Sequence, residues 1–175
     1  MKTLLRLVFI CVLIGLGSCS QPEKTKPIEY TGPLSVAENV ERLYTENEIV
    51  KVKLIAQKII EMQGGDYDLP EGVYLEFYNE FGVITSTLKA NKAYYFKSEN
   101  KWRGQGNVEV KNIEKNQQLN TEELFWKPDT ERIFTDKFVT IKLQSEVIYG
   151  TGLDAAQDLS TYTITNPEGE FEVEG

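Results

Sequence analysis

The chain has 175 residues, a formal net charge of −8, no histidine and two cysteines. That composition excludes most Ser/His/Asp, Cys/His and zinc chemistry. Its acidity argues against nucleic acid or an anionic membrane surface as a direct partner.

Lys2 and Arg6 open the chain ahead of the apolar run Leu7–Gly17. A positive segment, about ten apolar residues and then small ones make the pattern of a secretory signal. The run falls short of the roughly 20 residues that a membrane-spanning helix needs. Leu16-Gly17-Ser18-Cys19 resembles the lipobox of bacterial lipoproteins. The resemblance implies that residues 1–18 are removed and that Cys19 is diacylated and becomes the first residue. The alternative is a plain secretion signal with a chance cysteine. Cys11 leaves with the signal, so the mature domain has neither thiol nor disulfide. Loss of Lys2 and Arg6, with no acid, takes the net charge from −8 to −10.

Residues 19–37 hold Pro22, Pro27 and Pro33 and have little to bury, which reads as a flexible or semi-extended tether. Its length could lift a domain on the order of 50 Å from a bilayer. The rest, 38–175, suits one domain with a sizeable core.

Periodicity leaves residues 35–62 open between helix and strand. Ser35-Val36-Ala37-Glu38 has the form of a helix capping box. Val36, Val40, Leu43 and Tyr44, then Leu54, Ile55, Ile59, Ile60 and Met62, fit helical spacing. Yet Val50, Val52, Leu54 and Ala56 also alternate with polar neighbours. Further along the reading is strand throughout. Val73, Leu75 and Phe77 alternate with Tyr74, Glu76 and Tyr78, before a turn at Asn79–Gly82. Trp102, Gly104, Gly106, Val108 and Val110 form a second alternating series, and Val139, Ile141 and Leu143 a third. A period of two marks half-buried strands. Turn signals at Ser98–Asn100, Asn116, Pro128-Asp129 and Asn166–Gly169 complete an all-β pattern of short strands.

The sequence also matches itself at an offset of 31 residues. Leu88 falls on Leu119, Tyr94 on Phe125, Tyr95 on Trp126, Trp102 on Ile133, Gly104 on Thr135, Val108 on Val139 and Val110 on Ile141. Thr121 on Gly152, Leu124 on Ala155 and Phe77 on Val108 extend the pattern more weakly. Such a period implies a repeated supersecondary unit that buries its apolar face only against its neighbours. A stack of this kind ends in strands with unpaired backbone, each able to accept a strand from another protein.

The segments LPEGVYLEFYNEFGVITSTLKANKAYYF, WRGQGNVEV, LNTEELFWKPDTERIFTDKFVTI and IYGTGLDA, in that order and after a lipobox, resemble the LptC family of lipopolysaccharide-export periplasmic proteins. The resemblance is closest to a lipoprotein-anchored form of Bacteroidetes type. It implies an all-β fold, a single twisted, V-shaped, open β-jelly-roll of OstA-like stacked strands, and so favours strand over 35–62. It implies a non-enzymatic exporter with no cofactor. Such a protein accepts lipopolysaccharide from an inner-membrane ABC transporter and passes it to a similar periplasmic jelly-roll docked by edge-to-edge strand pairing. The location implied is the periplasm, lipid-anchored to the inner membrane. Better-known members keep a transmembrane helix at the N-terminus, and this chain departs from them there. Ser20 and Gln21 also lack the aspartate associated with inner-membrane retention in some bacteria. Gly150 and Gly152 match a glycine motif of the family, expected to serve the backbone at a corner.

The job sets a physical requirement. Exposing an acyl chain of about a dozen methylenes costs on the order of 10 kcal/mol, at about 0.8 kcal/mol per CH₂. The expected trough wall is Val52, Leu54, Leu75, Phe77, Tyr95, Val108, Val110, Leu124, Trp126, Ile133, Val139 and Ile141. Core packing would select the same residues. Two rival readings stand beside it. A carboxylate pair drawn from Glu122, Glu123 and Asp129 could serve glycosidase-type catalysis, and Asp66, Asp68 and Glu71 could hold calcium. The other rival is a structural or ligand-binding lipoprotein, a scaffold or adhesion module with a filled core.

Overall fold

The structure, a computed structural model, describes residues 30–168. The expected signal, Cys19 and most of the tether lie outside that range. Eleven strands follow one another: β1 (Ser35–Glu46), β2 (Ile49–Glu61), β3 (Tyr67–Leu69), β4 (Val73–Tyr78), β5 (Ile84–Ala90), β6 (Lys92–Phe96), β7 (Lys101–Asn112), β8 (Gln117–Lys127), β9 (Arg132–Lys142), β10 (Val147–Ala156) and β11 (Tyr162–Glu168). Among the described residues there is no α-helix, only one-turn 3₁₀ segments at Lys97–Glu99 and Pro128–Thr130. The segment left open between helix and strand is a β-hairpin. Its two-residue turn, Asn47-Glu48, has φ of 49° and 66°, as a hairpin turn matched to strand twist requires. β1 starts at Ser35, so the strand takes in residues 35–37.

All strands form one antiparallel sheet that folds back on itself. β7 shows how. Its first half, Lys101–Gln105, pairs with β6, and its second half, Glu109–Asn112, pairs with β5. β2 is split likewise between β4 and β3. The path β2-β4-β5-β7-β6-β3 closes into a hydrogen-bonded ring. Counting β3 with β4, and β5 with β6, as bent strands gives nine stacked levels, each contributing to two facing walls. One wall holds β4, β5 and the second half of β7. The other holds β3, β6 and the first half of β7. This is a β-jelly-roll.

The bend runs across neighbouring strands as a line of register shifts: at Gln105/Val108, Thr121/Phe125 and Thr151/Leu153. Gly106, Asn107 and Gly152 have φ of 76°, 49° and 83° there, and a bulge of this kind sharpens strand curvature. The sequence alternation through Gly106 is interrupted at this bend. In β1 the corresponding residue is Asn39, at φ 52° and skipped in the pairing with β2. The 31-residue period is two levels, an outgoing strand and a returning one. Trp102, Val108 and Val110 of β7 thus reappear as Ile133, Val139 and Ile141 of β9, all buried.

Successive turns alternate between the two free lips of the walls. Residues 63–66, 97–100 and 128–131 lie on the lip of the β3/β6 wall, and the turn at 157–161 starts from that wall. Residues 79–83, 113–116 and 143–146 lie on the other.

Candidate functional site

All twelve expected wall residues come from the inner faces of β2, β4, β6, β7, β8 and β9, and they belong to or pack against one core cluster. They divide by depth. Leu54, Val108, Val110, Leu124, Ile133, Val139 and Ile141 are at most 1 % exposed. Their neighbours are other protein atoms, and the space between the walls is filled at those positions. Val52, Tyr95 and Trp126 instead border a hollow of about 1100 Å³ that opens between the lips.

The hollow is built on a column of rings along one wall. Tyr67 of β3 stacks on Tyr95 of β6 at 5.5 Å between centroids. Tyr95 meets Trp102 of β7 at 4.9 Å, and Trp102 meets Trp126 of β8 at 6.4 Å. These spacings lie in the range where aromatic pairs attract. They follow from register: Tyr67 is paired with Tyr95, Tyr95 with Trp102 and Trp102 with Trp126. At the β1 end the Arg42 guanidinium sits 5.1 Å from the centre of the Tyr67 ring, within reach of a cation–π attraction. Tyr67 and Trp102 belong to the site although the expected wall omitted both. Tyr67 lies in a three-residue strand, too short to display alternation.

The rim is polar. Arg42–Glu46, Lys51, Glu61, Lys97, Asn100 and Pro128–Glu131 border the hollow. Burial pushes the Tyr95 phenol above its ordinary pKa, with the neighbouring Tyr67 and the acids Asp129 and Asp66 adding to the rise. Its O–H donates to Asn100 Oδ1 at 2.9 Å. Burial raises Tyr44 as well, against the lowering influence of Arg42. Both shifts favour the neutral phenol at Tyr95 and Tyr44, and the charged side chains that border the hollow stand at its edge.

Four of the residues considered for other chemistry, Glu123, Asp129, Asp66 and Glu71, are engaged by neighbouring side chains or backbone. Glu123 accepts from Arg103 Nε at 2.7 Å and from Gln105 Nε2 at 2.9 Å. Glu122 is exposed at the bend of β8. Asp129 Oδ1 accepts from Asn100 Nδ2 at 2.6 Å, tying two turns together. Asp66 Oδ1 receives the Lys97 backbone N–H, and Glu71 faces Lys58 at 3.7 Å. Asp66, Asp68 and Glu71 do not converge on a common point. Among the described residues no three His, Cys, Asp or Glu side chains are grouped to hold a metal.

Gly150 and Gly152 both lie on β10 beneath β11. A Cβ at Gly150 would meet Ile164 Cγ2 and the Asn166 carbonyl oxygen, the latter at 2.6 Å. A Cβ at Gly152 would stand 2.9 Å from Thr165 Oγ1. The close approach is between adjacent strands.

Bent antiparallel strands around an apolar interior, with an aromatic-lined hollow between free lips, define a β-jelly-roll of open form. Residues 3–167 match the family model described as lipopolysaccharide-assembly, LptC-related, and the chain belongs to that family. No curated protein matches it. Membership associates the protein with lipopolysaccharide export and with a periplasmic place in the cell envelope. Among the described residues no helix is long and apolar enough to cross a membrane.

Proposed function

We propose that the protein is a non-enzymatic acceptor that shelters the acyl chains of lipopolysaccharide between its walls during export. It takes them from an inner-membrane ABC transporter and passes them to a periplasmic bridge protein of similar build. The observation that carries this reading is the hollow. Its volume of about 1100 Å³ lies at the upper end of the roughly 300–1,000 Å³ typical of small-molecule pockets. Aromatic rings line its inside and charges stand at its mouth, which suits a ligand with hydrocarbon tails and a polar head. Burying those tails offsets about 0.8 kcal/mol of exposure cost per methylene.

Two features outside the hollow support the remaining parts. Among the described residues β1 and β11 each pair on one side only, and a strand with a free edge can extend into a partner's sheet. Cys19 in its lipobox supplies the anchor. One acyl chain binds a membrane marginally, whereas two or three hold stably.

Photo-crosslinking in cells tests the reading. Photoreactive residues at Tyr95 and Trp126, and at Leu124, Val139 and Ile141 deeper on the same faces, should trap lipopolysaccharide. Residues at Lys142 and Glu123, whose side chains leave the opposite face, should not. Equal trapping from both faces would refute an internal lipid path.

A further inference from the structure

The turn between β10 and β11 does not stay on its own lip. It begins on the wall that holds Trp126 and crosses to the other. Trp126 Nε1 donates to Gln157 Oε1 at 2.9 Å, and the Gln157 N–H donates to the Glu131 carbonyl at 2.9 Å. On the far side Ser86 Oγ donates to the Gln157 carbonyl at 3.2 Å, and Asn112 Nδ2 to the Asp158 carbonyl at 2.6 Å. Ser86 and Asn112 are both buried polar residues of the β5–β7 wall. Between these attachments Leu159 is 1 % exposed and belongs to the core cluster. The segment Gln157–Ser160 thus straps the walls together and places one aliphatic side chain between them.

Three features mark the strap as separable from the walls. It contributes no strand pairing of its own; it is held by side chains and turn hydrogen bonds. Leu159 has φ of 57°, a left-handed conformation that L-residues with a Cβ adopt at a cost. Finally, the open hollow reaches Gln157, while the wall residues Ile133, Val139 and Ile141 are packed without free space.

We infer that Gln157–Ser160 is a displaceable plug, in which Leu159 occupies alkyl-chain space and yields it when a lipid tail enters. This rests on the proposed lipid-sheltering function and adds its control. With the strap in place a tail reaches Trp126 and stops. With it withdrawn, Leu159 leaves the interior, the bonds from Ser86 and Asn112 break, and the region between β5, β7 and the later levels becomes available. Leu159 is an apt stopper because its side chain matches hydrocarbon in polarity. Displacement exchanges one apolar contact for another.

Thiol labelling of the full chain tests the plug. Leu159→Cys and Val110→Cys place thiols at two fully buried positions, one on the strap and one on a wall, with the unsubstituted chain measuring the contribution of Cys11 and Cys19. A maleimide should modify Leu159→Cys at least ten-fold faster than Val110→Cys, and added lipopolysaccharide micelles should accelerate Leu159→Cys further. Ser86→Ala, which removes one attachment, should also accelerate it. Hydrogen exchange on the unsubstituted chain gives the same information without a substitution: the Gln157, Leu159 and Ser160 amides should exchange faster with lipopolysaccharide, and the Val110 amide should not. Equal labelling rates at the two thiols, or strap amides unchanged or slowed by lipid, would overturn the plug. Failure of the lipid reading looks different, because Tyr95 photo-crosslinking would then trap no lipopolysaccharide at all.

Discussion

Phe77 of β4 and Trp126 of β8 meet edge to face, ring centroids 5.2 Å apart, from opposite walls of the jelly-roll. The contact continues the aromatic column from Trp126, which lines the hollow, onto the second wall. Phe77 is 2 % exposed and central to the core. Phe77→Ala should cost about 3–5 kcal/mol through lost transfer energy and the cavity left behind. Denaturant unfolding followed by Trp emission measures it, and a loss below about 1 kcal/mol would show that the walls do not depend on this contact.

The two tryptophans of the sequence, Trp102 and Trp126, both line the hollow. Their emission is therefore a direct probe of occupancy. Titration with lipopolysaccharide should shift it to shorter wavelength as rim water is displaced. Tyr95→Ala should weaken binding about ten-fold, about 1.4 kcal/mol for a lost ring contact. An unchanged spectrum at saturating lipid would mean that the tails lie elsewhere.

Gly150→Ala should act on one strand pair. The added methyl has no room against Ile164 and the Asn166 carbonyl, so β11 must shift or part from β10. Overpacking of this kind costs about 1–3 kcal/mol. Hydrogen exchange should rise in β10 and β11 and remain unchanged in β4 and β5. Uniform acceleration would instead indicate global loosening.

Glu109 gives a pH signature. Desolvation pushes its carboxyl up, but hydrogen bonds from Lys111 and Lys89 and their charges outweigh it, and its pKa lies below the ordinary value. Both ion pairs measure 3.0 Å. A depressed carboxyl pKa stabilises the fold above the unfolded-state pKa, and the gain is lost as pH falls through the folded value. Both lysines are well exposed, which limits the effect to less than about 1 kcal/mol. Stability of the wild type should exceed that of Glu109→Gln near neutral pH, with the difference vanishing in acid. A gap that widened on acidification would contradict this sign.

The inner faces were legible because burial on one side of a strand writes a period of two. Leu75 and Phe77, or Val139 and Ile141, announce themselves in this way. The 31-residue match was legible because equivalent strands bury equivalent positions. The bend was not. At β2 it shifts the inward set from Leu54 and Ala56 to Ile59, which creates the spacing that resembled a helix. At β7 it falls within glycines that left the apolar alternation unbroken in sequence. Leu159 was invisible for a different reason: it is a single apolar residue in the polar run Gln157-Asp158-Leu159-Ser160, and its burial arises only from the crossing of a turn between walls.

The nine levels of the described residues, joined as one meander, make the fold extensible in a restricted way. Splicing in one outbound-and-return block would lengthen the interior while leaving the terminal strand's direction, and the lip on which each turn emerges, as they were. A single-strand insertion would reverse that polarity and present any neighbouring molecule with the wrong backbone orientation. Change in reach during descent from a common ancestor should therefore come in even steps.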